Sequence, residues 1–287
     1  MRHARPWLWL APALGLIALV ALFPLAWSLW DSLHRFDLRL PWIGKPFVGL
    51  GNYLDILSDD RFVGALAHTL FFTVATVSLE LVLGLGIALA LYGSMRGRAL
   101  LRTATILPWA LPTVVAGLLW RFVFDGESGA VAKVFAQAGA DPIVWFADRW
   151  LAWVPLILAD VWKTTPFVAL LLLAGLQQIP RELYEASSMD GAGTWRTLWS
   201  VTLPLLAPTV AVAVVFRALD AFRVFDLVYV LTGGGPGTAT EPLALYTFNM
   251  LFQNLRFGYG SALAVISFLF AAIAGLLALA AMKRHAS

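Results

Sequence analysis

The 287-residue sequence contains no cysteine, which removes disulfide staples, thiolate metal sites and a cysteine nucleophile together. Charge is scarce as well. Asp, Glu, Lys and Arg make up 13% of the chain, about half the ~25% of a soluble domain, whereas 60% of the residues are hydrophobic. That ratio excludes an ordinary water-soluble enzyme. Histidine is limited to His3, His34, His68 and His285, far apart and without an H-E-x-x-H pair, so no metal site is expected. There is no G-x-x-x-x-G-K-[ST] phosphate cradle, and the chain is therefore not its own ATPase. The glycine run at 233–237 has no Lys-Ser or Lys-Thr after it and reads as a turn. A G-x-S-x-G elbow is missing, and no basic tract of nucleic-acid type accompanies the net charge of +3.

What the sequence has is length of apolar run. Mean hydropathy is +0.80, and six apolar stretches emerge, at about 7–30, 65–93, 101–124, 151–175, 205–231 and 259–281. A helix needs about 20 residues to cross ~30 Å of hydrocarbon, and the alternating pattern of a membrane barrel is absent, so these predict six transmembrane helices in an all-α membrane protein. The first stretch follows Arg2 and Arg5, as a signal peptide would. It is too long, however, and ends in the bulky run Trp27–Trp30 without a small-residue cleavage site, so it reads as a retained helix. Lys and Arg are denser in the short connections (before the first span, 94–102, 176–203 and after the last) than in the long ones (31–64, 125–149 and 232–258). The denser set belongs in the cytoplasm, which places both termini inside. The long outer loops either cap the bundle or receive a large partner. With no internal repeat or low-complexity tail, residues 1–287 read as a single domain.

Two spans carry charge where lipid should be. The fourth holds Asp160 and Lys163, and the fifth holds Arg217, Asp220, Arg223 and Asp226. One such residue at a helix centre costs about 2.5–3.5 kcal/mol on insertion scales, so these side chains should face protein or a wet cavity. Either they pair the two spans structurally or they line a polar path. Thr164, Thr165, Pro166 and Phe167 follow Lys163, and hydroxyls, charges and a ring at mid-membrane suit a polyhydroxylated solute. Glu80, in the second span, reads as a helix-bridging acid.

Between the fourth and fifth spans, the cytoplasmic loop 177–204 predicts two short helices. Pro180 sits in the first turn of one, Asp190-Gly191 breaks it, Thr194 caps the next, and Pro204 opens the fifth span. Small Ala186, Ser187 and Ser188 permit close approach of another surface. On physics alone, an amphipathic linker lying on the membrane surface is the favoured account.

The string E-A-S-S-M-D-G-A-G followed by L-P resembles the EAA loop of binding-protein-dependent ABC importer permeases. G-L-G-N-Y at 49–53, V-W-K-T-T-P-F at 161–167 and A-F-R-V-F-D-L-V-Y-V-L-T-G-G-G-P at 221–236 resemble the sugar-importing, maltose/trehalose-type branch. The resemblance implies a type I ABC importer permease fold in a bacterial or archaeal inner membrane. It also implies a sister permease, two ATPase subunits that bind the ATP and Mg, an extracytoplasmic sugar-binding protein, and no cofactor on this chain. It implies ATPase coupling through Glu185, Ala186, Asp190 and Gly191, and a substrate path at Lys163, Thr164, Phe167, Arg217 and Asp220. The expected cargo is a di- or oligosaccharide, with trehalose or another α-glucoside first. An ion-coupled secondary transporter and a membrane-embedded enzyme are the alternatives; the docking loop argues against the first, and no credible nucleophile or metal cluster supports the second.

Overall fold

A computed structural model describes residues 5–93 and 98–286, with side chains described for 10–93, 103–276 and 280. Among them every named element is a helix, and the single β-bridge joins His34 and Phe47. In chain order the α-helices are α1 (Arg5–Ile17), α2 (Phe23–Ser32), α3 (Gly51–Leu57), α4 (Asp60–Tyr92), α5 (Arg98–Ala110), α6 (Thr113–Val123) and α7 (Ala130–Gln137). They continue with α8 (Trp153–Leu176), α9 (Arg181–Met189), α10 (Thr194–Thr197), α11 (Leu203–Phe222), α12 (Asp226–Leu231), α13 (Leu243–Phe248) and α14 (Phe257–Ala286). Short π-type turns at Ala18–Leu22 and Leu198–Thr202 join α1 to α2 and α10 to α11 without breaking either rod.

Among the described residues five helical rods are long and apolar enough to cross a membrane, and Thr103–Ala110 of α5 with α6 passes only as a pair bent by 98°, a sixth candidate. The expected straight third span is thereby corrected. Pro112 adopts an extended backbone (φ −56°, ψ 138°) that cannot continue α5, and Pro108 within α5 has no N–H to bond the preceding turn. The fifth span also differs from expectation. It begins at Thr194 rather than after Pro204, and it ends at Phe222. Residues 223–225 leave the helix, and α12 is a separate element packed on α6, where Arg121 Nη1 donates to the Val230 carbonyl at 3.0 Å. No Pro or Gly marks that break, which is why apolar continuity alone ran through it.

The chain divides into two compact units. The first comprises the chain through Gly64 together with Leu243–Ala272. Here the Asn52 amide donates to the carbonyls of Ser32 (2.7 Å) and His34 (3.0 Å), and Lys45 pairs with Asp31 at 2.5 Å. Gly258 donates its N–H to Phe36 O at 2.9 Å, and a Cβ at 258 would lie 2.1 Å from the His34 carbonyl, so only glycine fits. Asp59 accepts hydrogen bonds from the hydroxyls of Tyr246 and Tyr259 and from the Arg61 N–H (2.9 Å), the last capping the start of α4.

The second unit comprises Ala65–Pro242 and the chain from Ile273. Its apolar core joins Ala88 and Leu91 of α4, Val168, Leu172, Leu173 and Leu176 of α8, Ile179, and Leu206 of α11. Close helix approach depends on missing side-chain atoms. A Cβ on Gly84 would sit 2.8 Å from Val168, and one on Gly175 would sit 2.6 Å from Thr209 Oγ1. This contact sets α4, α8 and α11 side by side and brings their few polar residues together.

Candidate functional site

Those polar residues form one ion cluster inside the second unit. The Arg217 guanidinium, with its side chain only 3% exposed, is forked by Glu80: Nε to Oε2 at 2.5 Å and Nη2 to Oε1 at 2.8 Å. Nη2 also reaches Asp160 Oδ2 at 3.1 Å, and Nη1 bonds Asp220. The Thr164 hydroxyl lies 2.6 Å from both Glu80 Oε1 and the Asp160 carbonyl. A planar fork that stays charged is the side chain best shaped to hold several carboxylates at once. Without it, each buried acid would stand uncompensated among apolar helices.

Directly over this cluster opens a polar cavity of about 140 Å³, lined by Asp160, Lys163, Thr164, Asp220, Arg223 and Asp226, with Thr113 from the start of α6. The sequence-predicted substrate-path residues thus divide. Lys163, Thr164 and Asp220 line the cavity. Arg217 does not, because it lies beneath with its donors committed to carboxylates. Phe167 points elsewhere and stacks on Trp109 at 6.1 Å between ring centres. Arg223 and Asp226 were legible as charges but were expected on the face of one continuous helix. The break at 223–225 instead turns both toward the cavity. Thr113 became visible only through the bend of the third span. Glu80 bridges helices, as its position suggested.

The loop between the fourth and fifth spans forms the two expected helices, shifted by a residue. Pro180 caps α9 rather than opening its first turn, and Gly193, not Thr194, precedes α10. Gly191 takes φ +73°, and the N–H groups of Gly191 and Ala192 bond back to Ser188 and Ser187 at 3.1 Å, a left-handed glycine stop. One face of α9 turns inward: Ser187 Oγ meets Thr197 Oγ1 at 2.9 Å, and the Tyr184 ring packs 6.2 Å from that of Tyr92. Glu182, Glu185, Ala186, Met189 and Asp190 are exposed, Met189 at 89%. Ser187, read with Ala186 and Ser188 as a small residue that permits close approach of another surface, is buried instead.

Residues 81–285 match the profile of the family described as the binding-protein-dependent transport system inner membrane component. The chain belongs to this family. The permease is thus a multi-pass inner-membrane component and not an enzyme, and no cofactor belongs to it. It is 43% identical over 263 residues to the trehalose/maltose transport system permease protein MalF of Thermococcus litoralis, covering 91% of this chain and 88% of that one. It is 40% identical to the trehalose transport system permease protein SugA of Mycobacterium tuberculosis (90% and 82% covered). It is 41% identical to the sulfoquinovosyl glycerol transport system permease protein SmoG of Agrobacterium fabrum (90% and 84%). Among solved structures, a bacterial ABC transporter involved in importing the acidic polysaccharide alginate shares the fold. That match has a TM-score of 0.82 and 21% identity and covers 98% of this chain and 96% of the other.

Proposed function

We propose that the permease is the translocating subunit of an ATP-driven ABC importer for a di- or oligosaccharide, with trehalose or a related α-glucoside as first choice. The observation that carries this reading is the cavity. It offers both donors and acceptors (Lys163, Arg223, Thr164, Asp220 and Asp226) within otherwise apolar spans. A sugar hydroxyl donates to a carboxylate while accepting from an ammonium or guanidinium, so neighbouring hydroxyls match such a lining. The relatives at about 40% identity bear names of trehalose, maltose and a sugar glyceride, which supports a sugar over an amino acid or ion. In this assignment Lys163, Thr164 and Asp220 contact solute, Arg217 positions the acids, and Phe167 packs the wall. At about 140 Å³ the cavity encloses only part of a two-ring sugar, and a sister permease completes the path.

Energy enters through α9. Its exposed face, Glu185, Ala186 and Met189 up to the turn Asp190-Gly191, docks on an ATPase subunit, while Ser187 and Tyr184 tie it to the start of the fifth span. Closure of two ATPases on ATP pulls this helix and shifts the α8–α11 pair behind it. Both termini then face the cytoplasm and the long loops face an extracytoplasmic binding protein, in line with the distribution of Lys and Arg. Reconstitution tests the reading. Trehalose uptake should require the sister permease, the ATPases, ATP and the binding protein. Gradient-driven uptake by this chain alone, or product formation without uptake, would overturn it.

A further inference from the structure

Of the ionisable groups around the cavity, two acids are already committed: Asp160 and Asp220 both bond Arg217. The side chains of Lys163, Arg223 and Asp226 have no hydrogen bond or ion pair to another described residue and are left to meet whatever enters. Asp226 comes from the first turn of α12, a different element from those that carry Asp160 (α8) and Asp220 (α11), and it is exposed. Counting the cluster with the cavity, four carboxyls (Glu80, Asp160, Asp220 and Asp226) stand against three cations (Lys163, Arg217 and Arg223). Were one buried carboxyl protonated, the balance would be even. In neither state is there a surplus of positive charge to receive an anion.

The relatives named above differ on this point, since trehalose and maltose are neutral whereas a sulfoquinovosyl group carries a sulfonate. We infer that Asp226 is the charge selector of the cavity, accepting hydroxyls of a neutral sugar and repelling an anionic substituent. The inference rests on the sugar-importer reading and names the class of sugar. Lys163 and Arg223 then serve as hydroxyl donors whose charge Asp226 offsets. In a partly dehydrated cavity a single like charge a few ångströms away weakens binding by about tenfold or more.

The test uses the assembled transporter in nanodiscs, without its binding protein, so that only the membrane site is read. Saturation-transfer NMR compares trehalose with trehalose 6-phosphate. The native complex should bind trehalose and bind its phosphate at least about tenfold more weakly. Asp226→Asn should narrow that gap, and Asp226→Lys should reverse it, with the phosphate signal rising as that of trehalose falls. Equal binding of the two sugars by the native complex, or an unchanged ratio in both variants, overturns the selector and leaves the sugar reading intact. A native complex that still docks its ATPases but binds neither sugar overturns the sugar reading, and the selector with it.

Discussion

The protein holds carboxylates in two places by two different means. In the second unit Glu80, Asp160 and Asp220 share one guanidinium. In the first, Asp59 is held by two phenol hydroxyls and two backbone N–H groups, with no ion pair to another described residue. The difference follows surroundings. Glu80 is fully buried and Asp160 nearly so, among spans that lipid surrounds, where a neutral donor set leaves the charge uncompensated. Asp59 sits just before a span begins and keeps partial contact with solvent, so neutral donors suffice. Asp59 would therefore tolerate loss of its charge, and the Arg217 cluster would not.

Replacing Arg217 breaks that comparison most severely. Arg217→Met strands two buried carboxylates, and loss of one partner of a buried pair costs about 3–5 kcal/mol. The expected outcome is little folded permease, seen as aggregation on size-exclusion chromatography. The double variant Glu80→Gln/Arg217→Gln, which leaves no forked carboxylate behind, should recover part of the yield. A single variant as stable as the native chain would show that the cluster is held by packing alone.

The cluster also needs its helices close together. A side chain at Gly175 would press on Thr209 Oγ1 (2.6 Å) and Leu206 (2.8 Å), so Gly175→Val should force α8 from α11 at about 1–3 kcal/mol. Trimming Thr209 to Ala in the same chain should return part of the loss, read as the melting temperature of the purified permease. If the added methyls left both stability and transport unchanged, the α8–α11 contact would be looser than its packing indicates.

Much of this architecture was legible from residues alone. Apolar length placed five spans to within a few residues at most ends, because lipid demands that length and nothing else in the chain competes with it. The stop at Gly191 was legible because a left-handed φ there admits few residues other than glycine. What escaped was set by contacts. Pro108 and Pro112 mark a weak point in the third span, but the 98° angle and the packing of α6 on α12 that goes with it were not legible from them. The end of α11 at Phe222 carries no breaker residue, so Asp226 was expected on α11 and lies on α12. Likewise Arg217 and Asp220 looked like equivalent neighbours. One is 3% exposed and holds the acids, and the other is 67% exposed and faces the cavity.

Gly191→Val tests coupling rather than the fold. A β-branched residue at φ +73° costs about 1–2 kcal/mol locally, enough to reshape the α9 stop without unfolding the spans. Co-purification of the ATPase subunits should fall while the melting temperature stays near native, and full retention of both ATPase and solute-stimulated hydrolysis would remove α9 as the docking helix. Asp220→Ala should act the other way. It removes an exposed carboxylate, so stability should change by only about 1 kcal/mol. ATPase docking should persist while sugar uptake drops.

The smallest effect is expected at Asp59, and it carries a pH signature that sharpens the comparison. Partial burial pushes the Asp59 carboxyl up, but hydrogen bonds from Tyr246, Tyr259 and the N–H groups of Arg61 and Phe62 outweigh it and hold the group below its ordinary value. Burial and the adjacent Asp59, in turn, push the Tyr246 hydroxyl up, so it stays a donor throughout the physiological range. A depressed folded value means the stabilisation is complete above the unfolded value of about 3.9 and disappears as pH falls through the folded one. Asp59→Asn keeps an oxygen for the tyrosines but loses the charge, and should cost about 1 kcal/mol near neutrality. Native and variant melting temperatures should converge as pH falls from about 4 through the depressed folded value, where the native carboxylate takes up its proton. Hydrogen exchange should locate the loosening at residues 51–62 and 243–259. A gap that stays constant down to pH 3 would mean that the charge of Asp59 contributes nothing, and that the tyrosines hold it by shape alone.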